Sequence, residues 1–326
     1  MKIIDAHSHL WLRQDTSWDG KPIRSLKNGR SIFLGEEVQM MPPFIIDSQN
    51  SAEVFLSNMD YAQVGAAVVV QEFIDGLQND YLETVQKQYP DRFLCCGMAD
   101  YRQPGFLAQA QELIEQRGFR GIAIPGHRLR NQGDRSLDTL GTSDHGPVPL
   151  ISDEMMRMFH LMEQKDVVLS ITLEDGDWQV GELREVISEC PELRIAIGHL
   201  GMANPPQTPC WENPSWRRQM ALAQHAHVMI EMGGITWLYN AEFYPFPSAI
   251  RAIREAIDIA GADKLMWGSD YPRTITAITY RMSYDFILKS SELSDADKRL
   301  ILGENALRFY GFTALPELPY IKNMSE

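Results

Sequence analysis

The sequence predicts a (β/α)8 barrel. Eight short apolar or β-branched runs recur along the chain, helical periodicity fills the intervals between them, and 326 residues lie within the range such a barrel occupies. The runs are KIIDAHSHL at the start, AAVVVQE (66–72), RFLCCGMAD (92–100), FRGIAIP (119–125), VVLSITL (167–173), RIAIGHL (194–200), VMIEMGGI (228–235) and LMWGSDYP (265–272). Most are nearly continuous in apolar residues, as parallel strands covered on both faces require.

The intervals carry helix signals in the same order. Leu77, Tyr81, Val85 and Tyr89 recur four apart before Pro90 stops the pattern. Asn213 and Pro214 read as an N-cap with proline at the first helical position, opening a helix through Met220. PSAIRAIREAIDIAG places Ile250, Ile253, Ile257 and Ala260 on one face, with Gly261 to end the helix. Ser294 caps the last helix, which carries Leu300 and Ile301 towards Phe309. A doubly wound open sheet is the rival fold, but no G-x-G-x-x-G or phosphate-binding loop follows an early strand. With no repeat, low-complexity tract or linker, residues 1–326 are expected to form one domain. Two connections are long, from Trp11 to about Asn50 after strand 1 and from Gly126 to about Leu150 after strand 4; such loops ordinarily serve as lids or walls.

Composition narrows the partners. A formal net charge of −14, from 30 basic and 44 acidic residues, argues against nucleic acid or an anionic membrane surface. The longest apolar runs, such as Val64 to Val70, are too short to cross a bilayer. Asp5, His7 and His9 interrupt the place where a signal peptide would be apolar. The four cysteines form no C-x-x-C. The expectation is a cytoplasmic protein with reduced thiols, acting on a small molecule.

Polar residues at strand ends carry the functional signal. His7 and His9 alternate where strand 1 gives out, and alternate strand residues share a face. His199 closes strand 6, Asp270 closes strand 8, and Glu231 lies in strand 7. A lone strand-end histidine is ordinarily a satisfied structural group. Three histidines and an aspartate from strands 1, 6 and 8 of a closed barrel converge on one mouth. Imidazole and carboxylate ligands suit Zn²⁺ first and Mn²⁺ second. An ionised Asp270 would both touch a metal and accept a proton from attacking water.

DAHSHL, IGHLG, WGSDYP and the closing GENALRFYGF (303–312) make the whole chain resemble the amidohydrolase superfamily, and within it the amidohydrolase-2 group. The resemblance implies His7 and His9 as the metal-binding H-x-H, Asp270 as metal ligand and base, and His199 as a ligand or catalytic group. Many members add a strand-5 histidine. Here strand 5 reads VVLSITLEDG, with Ser170, Thr172 and Glu174 as its polar residues. That gap resembles the sugar-acid and pyrone lactonases, some of which need no metal, more than the decarboxylases. The leading expectation is therefore hydrolysis of a lactone or related cyclic ester of an acidic or polyhydroxylated substrate, with metal-free catalysis left open. The alternatives are a metal-dependent, non-oxidative decarboxylase and a non-catalytic binding barrel.

Arginine presents a planar fork for carboxylates, so Arg128, Arg130 and Arg273 are candidates for holding an acidic substrate; loop ion pairs are the plainer fate of each. His127 and Arg135 share the loop with the first two. Trp237, with Trp211, Trp216, Tyr239, Phe243 and Tyr244, can stack on a ring or pack a lid or a subunit contact, which leaves a homo-oligomer open. Glu231 reads as an inward acid facing substrate or as a partner that orients His199. His225 and His227 fall at the opposite end of the barrel, and His145 and His160 have no partner in the pattern.

Overall fold

In the computed structural model, residues 1–18, 20–129, 148–173, 177–202, 209–320, 322 and 324 are described. Eight parallel strands lie in sequence order around a barrel: Ile3–Ser8, Val64–Val69, Phe93–Gly97, Gly121–Ile124, Val168–Ile171, Ile195–Ile197, Val228–Glu231 and Leu265–Met266. They are strands 1 to 8 below. Strand 8 has only two residues, so closure depends on the extended segment after it. Ala6 N–H donates to Trp267 O, Asp270 N–H to His7 O and His9 N–H to Tyr271 O, at 2.9, 2.9 and 2.8 Å.

The strands are buried on both faces, which accounts for their continuous apolar sequence. Ile4, Ala6, Ala66, Val68, Leu94, Cys96, Ala123, Val168, Ala196, Met229 and Met266 fill the interior, closed below by Phe309, Tyr310 and Phe312. The alternate residues pack outward against the helices. The helices follow their sequence signals. Asn79–Gln88 ends before Pro90, and the Asn213 side chain accepts from Ser215 N–H at the start of Pro214–Ala221. Pro247–Ala260 ends at Gly261, whose φ of 96° lies in the left-handed region. Ser294 caps Asp295–Arg299, and a π turn over Leu300–Glu304 leads into Asn305–Tyr310.

The segment after strand 1 differs from the structureless wall the sequence predicts. It forms a four-stranded antiparallel sheet of Asp15–Trp18, Lys21–Ser25, Arg30–Phe33 and Glu36–Gln39. These strands are short and mostly polar, so hydrophobic alternation does not reveal them. The turn does: Asn28 and Gly29 have φ of 59° and 70°, the paired left-handed residues of a tight hairpin. Strands 6 and 8 also end earlier than their sequence runs, at Ile197 and Met266, and the segments after them turn through left-handed backbone at His199 and Asp270. Among the described residues, no helix is long and apolar enough to cross a membrane.

Candidate active site at the barrel mouth

Strand 1 delivers its histidines through an irregularity. Its pairing with strand 2 shifts register between Asp5 and Ser8, which frees the strand end from simple alternation. Asp5 is fully buried and turned sideways into the closing seam. It accepts from Ser269 N–H at 2.8 Å, from the Tyr280 hydroxyl at 2.7 Å, from His7 N–H at 3.1 Å and from the Ser269 hydroxyl. Burial lifts its pKa to about 6, against the pull of those hydrogen bonds. Each buried donor orphaned by its removal would cost about 1–3 kcal/mol, so this aspartate fixes the geometry of strand 1 against the segment bearing Asp270. Glycine makes the space beside it: a Cβ on Gly268 would stand 2.6 Å from His7 Cβ, and one on Gly233 2.7 Å from His7 Cγ.

His7, His9, His199 and Asp270 converge. His7 Nε2 and His9 Nε2 are 3.2 Å apart, and Asp270 Oδ1 lies 3.4 and 3.0 Å from them. The His199 ring centroid is 4.6 Å from that of His7. One ligand atom each from His7, His199 and Asp270 falls within 4.8 Å of the other two. A cavity of about 20 Å³, lined by His7, His9, Glu72, Ser170, Thr172 and His199 among others, accepts one water or ion.

Each of these groups is held from behind. His7 Nδ1 lies 2.8 Å from Glu231 Oε2, and Gly233 N–H donates to the other oxygen at 2.9 Å. Glu231, fully buried, therefore sits behind His7; it does not orient His199. His199 Nδ1–H donates to Gly233 O at 2.7 Å, which leaves its Nε2 lone pair for the cavity. The Trp237 indole N–H donates to Asp270 Oδ2. His9 Nδ1 is 3.4 Å from Asp75 Oδ2, and Asp75 Oδ1 accepts from Gln14 Nε2 at 3.0 Å. The Ser31 hydroxyl donates to Gln14 Oε1 at 3.0 Å, tying His9 to the inserted sheet. Asp75 and Gln14 were not legible as site residues, since their sequence neighbourhoods carry no motif.

Electrostatics match these contacts. Burial opposes charge on His7, but the Glu231 carboxylate and Asp270 raise its pKa to about 9. Burial likewise opposes charge on His9, and Asp270 and Asp75 raise it to about 10. Burial and the neighbouring His7 charge push His199 down to about 3, so it stays neutral. Burial alone would raise Asp270; its hydrogen bonds with both imidazoles hold it well below the usual carboxylate range. The donor set fits a divalent metal. It offers imidazole nitrogens and an anionic oxygen; the Nδ1 atoms of His7 and His199 are hydrogen-bonded to a carboxylate and a carbonyl, as is usual for metal-binding histidines, while His9 Nδ1 makes no hydrogen bond and has the Asp75 carboxylate 3.4 Å away.

The backbone under two of these residues is unusual. His199, Leu200, Gly201 and Met202 all have positive φ, between 49° and 63°, and Asp270 has φ of 57°. Left-handed backbone costs roughly 1–2 kcal/mol per non-glycine residue. Trp216 Nε1–H donates to Leu200 O at 2.8 Å and Gly201 N–H to Gly198 O at 3.0 Å, contacts that hold the turn. Such strain at a site presents its side chains at fixed angles.

The other candidates lie on the wall. Arg128 Nε is 2.7 Å from Glu72 Oε1, and His127 Nε2 is 3.2 Å from Glu72 Oε2. Burial works against ionised Glu72, yet the Arg128 and His127 charges hold its pKa well below normal. His127 is itself pushed down by burial and by Arg128. Arg273 is exposed, with its guanidinium 3.7 Å above the Trp237 ring. Arg130, Arg135, His145 and Glu174 lie outside the described residues.

A cluster of imidazoles and a carboxylate at the mouth of a parallel barrel lies where barrel enzymes carry their active sites. The chain belongs to the amidohydrolase family, whose profile matches residues 4–312. It is 23% identical over 320 residues to the uncharacterized protein y4mH of Sinorhizobium fredii, covering 94% of this chain and 98% of that one. Among solved structures it resembles a probable 2-pyrone-4,6-dicarboxylic acid hydrolase from Acinetobacter baumannii with citric acid bound (TM-score 0.68, 19% identity, 96% of this chain and 100% of that one). It also resembles an amidohydrolase from Burkholderia multivorans with bound zinc (TM-score 0.65, 19% identity, 97% and 100%). A 5-carboxyvanillate decarboxylase from Sphingomonas paucimobilis shares the fold more distantly (TM-score 0.57, 16% identity, 96% and 99%).

Proposed function

We propose that the protein is a hydrolase that opens a lactone or related cyclic ester of an acidic small molecule, with Asp270 as general base and a divalent metal, zinc first and manganese second, as cofactor. The observation that carries this reading is Asp270 itself: a buried carboxylate kept ionised at the centre of the histidine cluster. His7, His9, His199 and Asp270 would hold the metal, which when bound polarises a carbonyl and acidifies water. Asp270 Oδ1 takes the proton of the attacking water, while the Trp237 N–H on Oδ2 keeps the carboxylate in place. Neutral His199 directs Nε2 to the same space and supports either a ligand or a hydrogen-bonding role. Glu231 and Asp75 hold the His7 and His9 rings.

Arg128, Arg130 and Arg273 are the candidates for the substrate's acidic group, with the Trp237 ring as an apolar wall. Arg128 already balances Glu72, so a substrate carboxylate there joins a charge triad and meets no isolated cation. The likeness to a probable pyrone dicarboxylate hydrolase makes 2-pyrone-4,6-dicarboxylate the first probe, followed by sugar-acid lactones. The expected result is ring opening, with one proton released per turnover and no carbon dioxide. Carbon dioxide release from aromatic acids, with lactones untouched, would establish the decarboxylase instead; tight binding without turnover in both classes would establish the binding barrel. Asp270→Asn should lower kcat on the active substrate by about 10²–10⁴-fold, measured under saturating metal. Undiminished turnover would remove Asp270 as base.

A further inference from the structure

Far from the mouth, the chain assembles a thiol, an imidazole and a carboxylate that the proposed chemistry does not use. His160 and Glu163 stand three residues apart on the helix Asp153–Gln164 and so share a face. Cys190 ends the neighbouring helix Trp178–Glu189. His160 Nδ1 lies 3.3 Å from Cys190 Sγ, and one ligand atom from each of the three residues falls within 4.8 Å of the other two. The isolation of His160 expected from the sequence is thus corrected, because its partner lies 30 residues away on another helix.

The geometry is that of a ligand set. Bonds of about 2.0–2.3 Å to a tetrahedral zinc ion place neighbouring ligand atoms roughly 3.5 Å apart, close to the observed sulfur–nitrogen separation. Glu163 is fixed in turn, since Glu192 N–H donates to its Oε1 at 2.8 Å, leaving Oε2 for an ion. Cys190 is buried while His160 is exposed, so an ion has an approach from solvent. Cys95 and Cys96 lie inside strand 3, and Cys210 faces the Tyr239 hydroxyl at 3.4 Å. Both helices reach this cluster as they run into strands 5 and 6, at the end of the barrel opposite His7 and Asp270.

We propose that His160, Glu163 and Cys190 form a second, peripheral site for a zinc-type divalent cation, tying two adjacent helices together. On binding, the S–H bond is replaced by a sulfur–metal bond and the thiol proton passes to solvent; no electron is transferred. In the free protein, burial and the nearby Glu163 and Glu189 charges push the Cys190 thiol up to about 11, which keeps it protonated until a metal arrives.

Cobalt(II) titration of the full chain under reducing conditions tests this directly, because the mouth contains no thiol. A sulfur-to-cobalt charge-transfer band in the near ultraviolet should saturate at one equivalent in a His7→Ala/His9→Ala variant, and by two equivalents in the wild type, whose mouth takes up a second ion without a thiolate band. It should vanish in Cys190→Ser and require at least about tenfold more cobalt in His160→Ala, an exposed position whose truncation spares the core. Lactone turnover should be unchanged in both peripheral variants. No band in the wild type, or a band that persists in Cys190→Ser, overturns the proposal.

Discussion

The two sides of the barrel mouth are built on opposite plans. Where strands 1, 7 and 8 meet, each functional group has a dedicated holder on another element: Glu231 behind His7, Asp75 behind His9, Trp237 behind Asp270. Where strands 2, 4 and 5 meet, there is no imidazole on strand 5. One buried carboxylate, Glu72, instead balances Arg128 and His127, and Ser170 and Thr172 line the remaining wall. The first side leaves its rings little freedom. The second is a local charge balance that another anion can re-partition. Under the proposed function, chemistry belongs to the first side and recognition to the second.

The same exchange of carboxylate for amide should therefore have opposite consequences on the two sides. Glu231→Gln keeps the shape behind His7 but removes its negative charge. Metal affinity should fall about 10–100-fold, as for other partners of ligating histidines, read by elemental analysis after dialysis against graded chelator. Unchanged affinity would mean His7 needs no charged support. Asp75→Asn tests the longer chain through Gln14 to the inserted sheet. Its contact with His9 is 3.4 Å against 2.8 Å for the Glu231 contact, so the loss should be smaller, about tenfold. Glu72→Gln leaves Arg128 a freer cation at the wall. KM for a carboxylated lactone should fall about fivefold, roughly 1 kcal/mol, with kcat and the KM of a neutral lactone unchanged. A rise in KM for both would show that Glu72 holds the wall's shape and does not tune its charge.

Sequence made the first side legible and the second hardly at all. His7, His9, His199 and Asp270 stand at strand ends where an apolar run is interrupted, and barrel closure alone brings strands 1 and 8 together. What holds them was hidden. Asp5 looks like one more polar residue of the H-x-H motif, yet it forms the seam to Ser269 and Tyr280, 264 and 275 residues away. Glu231 was visible as an acid in a strand, but which histidine it meets depends on the register shift in strand 1 and on the glycines that make room beside His7. The inserted sheet escaped because its strands bury little apolar surface, although Asn28-Gly29 marked its central hairpin. Glu72 and Asp75 follow strand 2 as the N-cap and last residue of a single 3-10 turn, Phe73–Asp75, too short to leave a period in the sequence.

The smallest effect concerns the gap on strand 5 itself. Thr172 lines the cavity, and its backbone is tied on both sides: His127 N–H donates to its carbonyl at 2.9 Å, and its own N–H donates to Ile124 O at 3.2 Å. Its side chain points to where Gly198 lacks a Cβ, with Oγ1 3.0 Å from the position that atom would take. A neutral hydroxyl is a poor ligand for zinc beside imidazole and carboxylate, and the mouth has its nitrogen and oxygen donors on the other side. Thr172→Val, which keeps the branched shape and removes the hydroxyl, should therefore change metal affinity by no more than about twofold, measured as for Glu231→Gln. A tenfold loss would move a ligand onto strand 5 and make the two sides of the mouth partners in holding the metal.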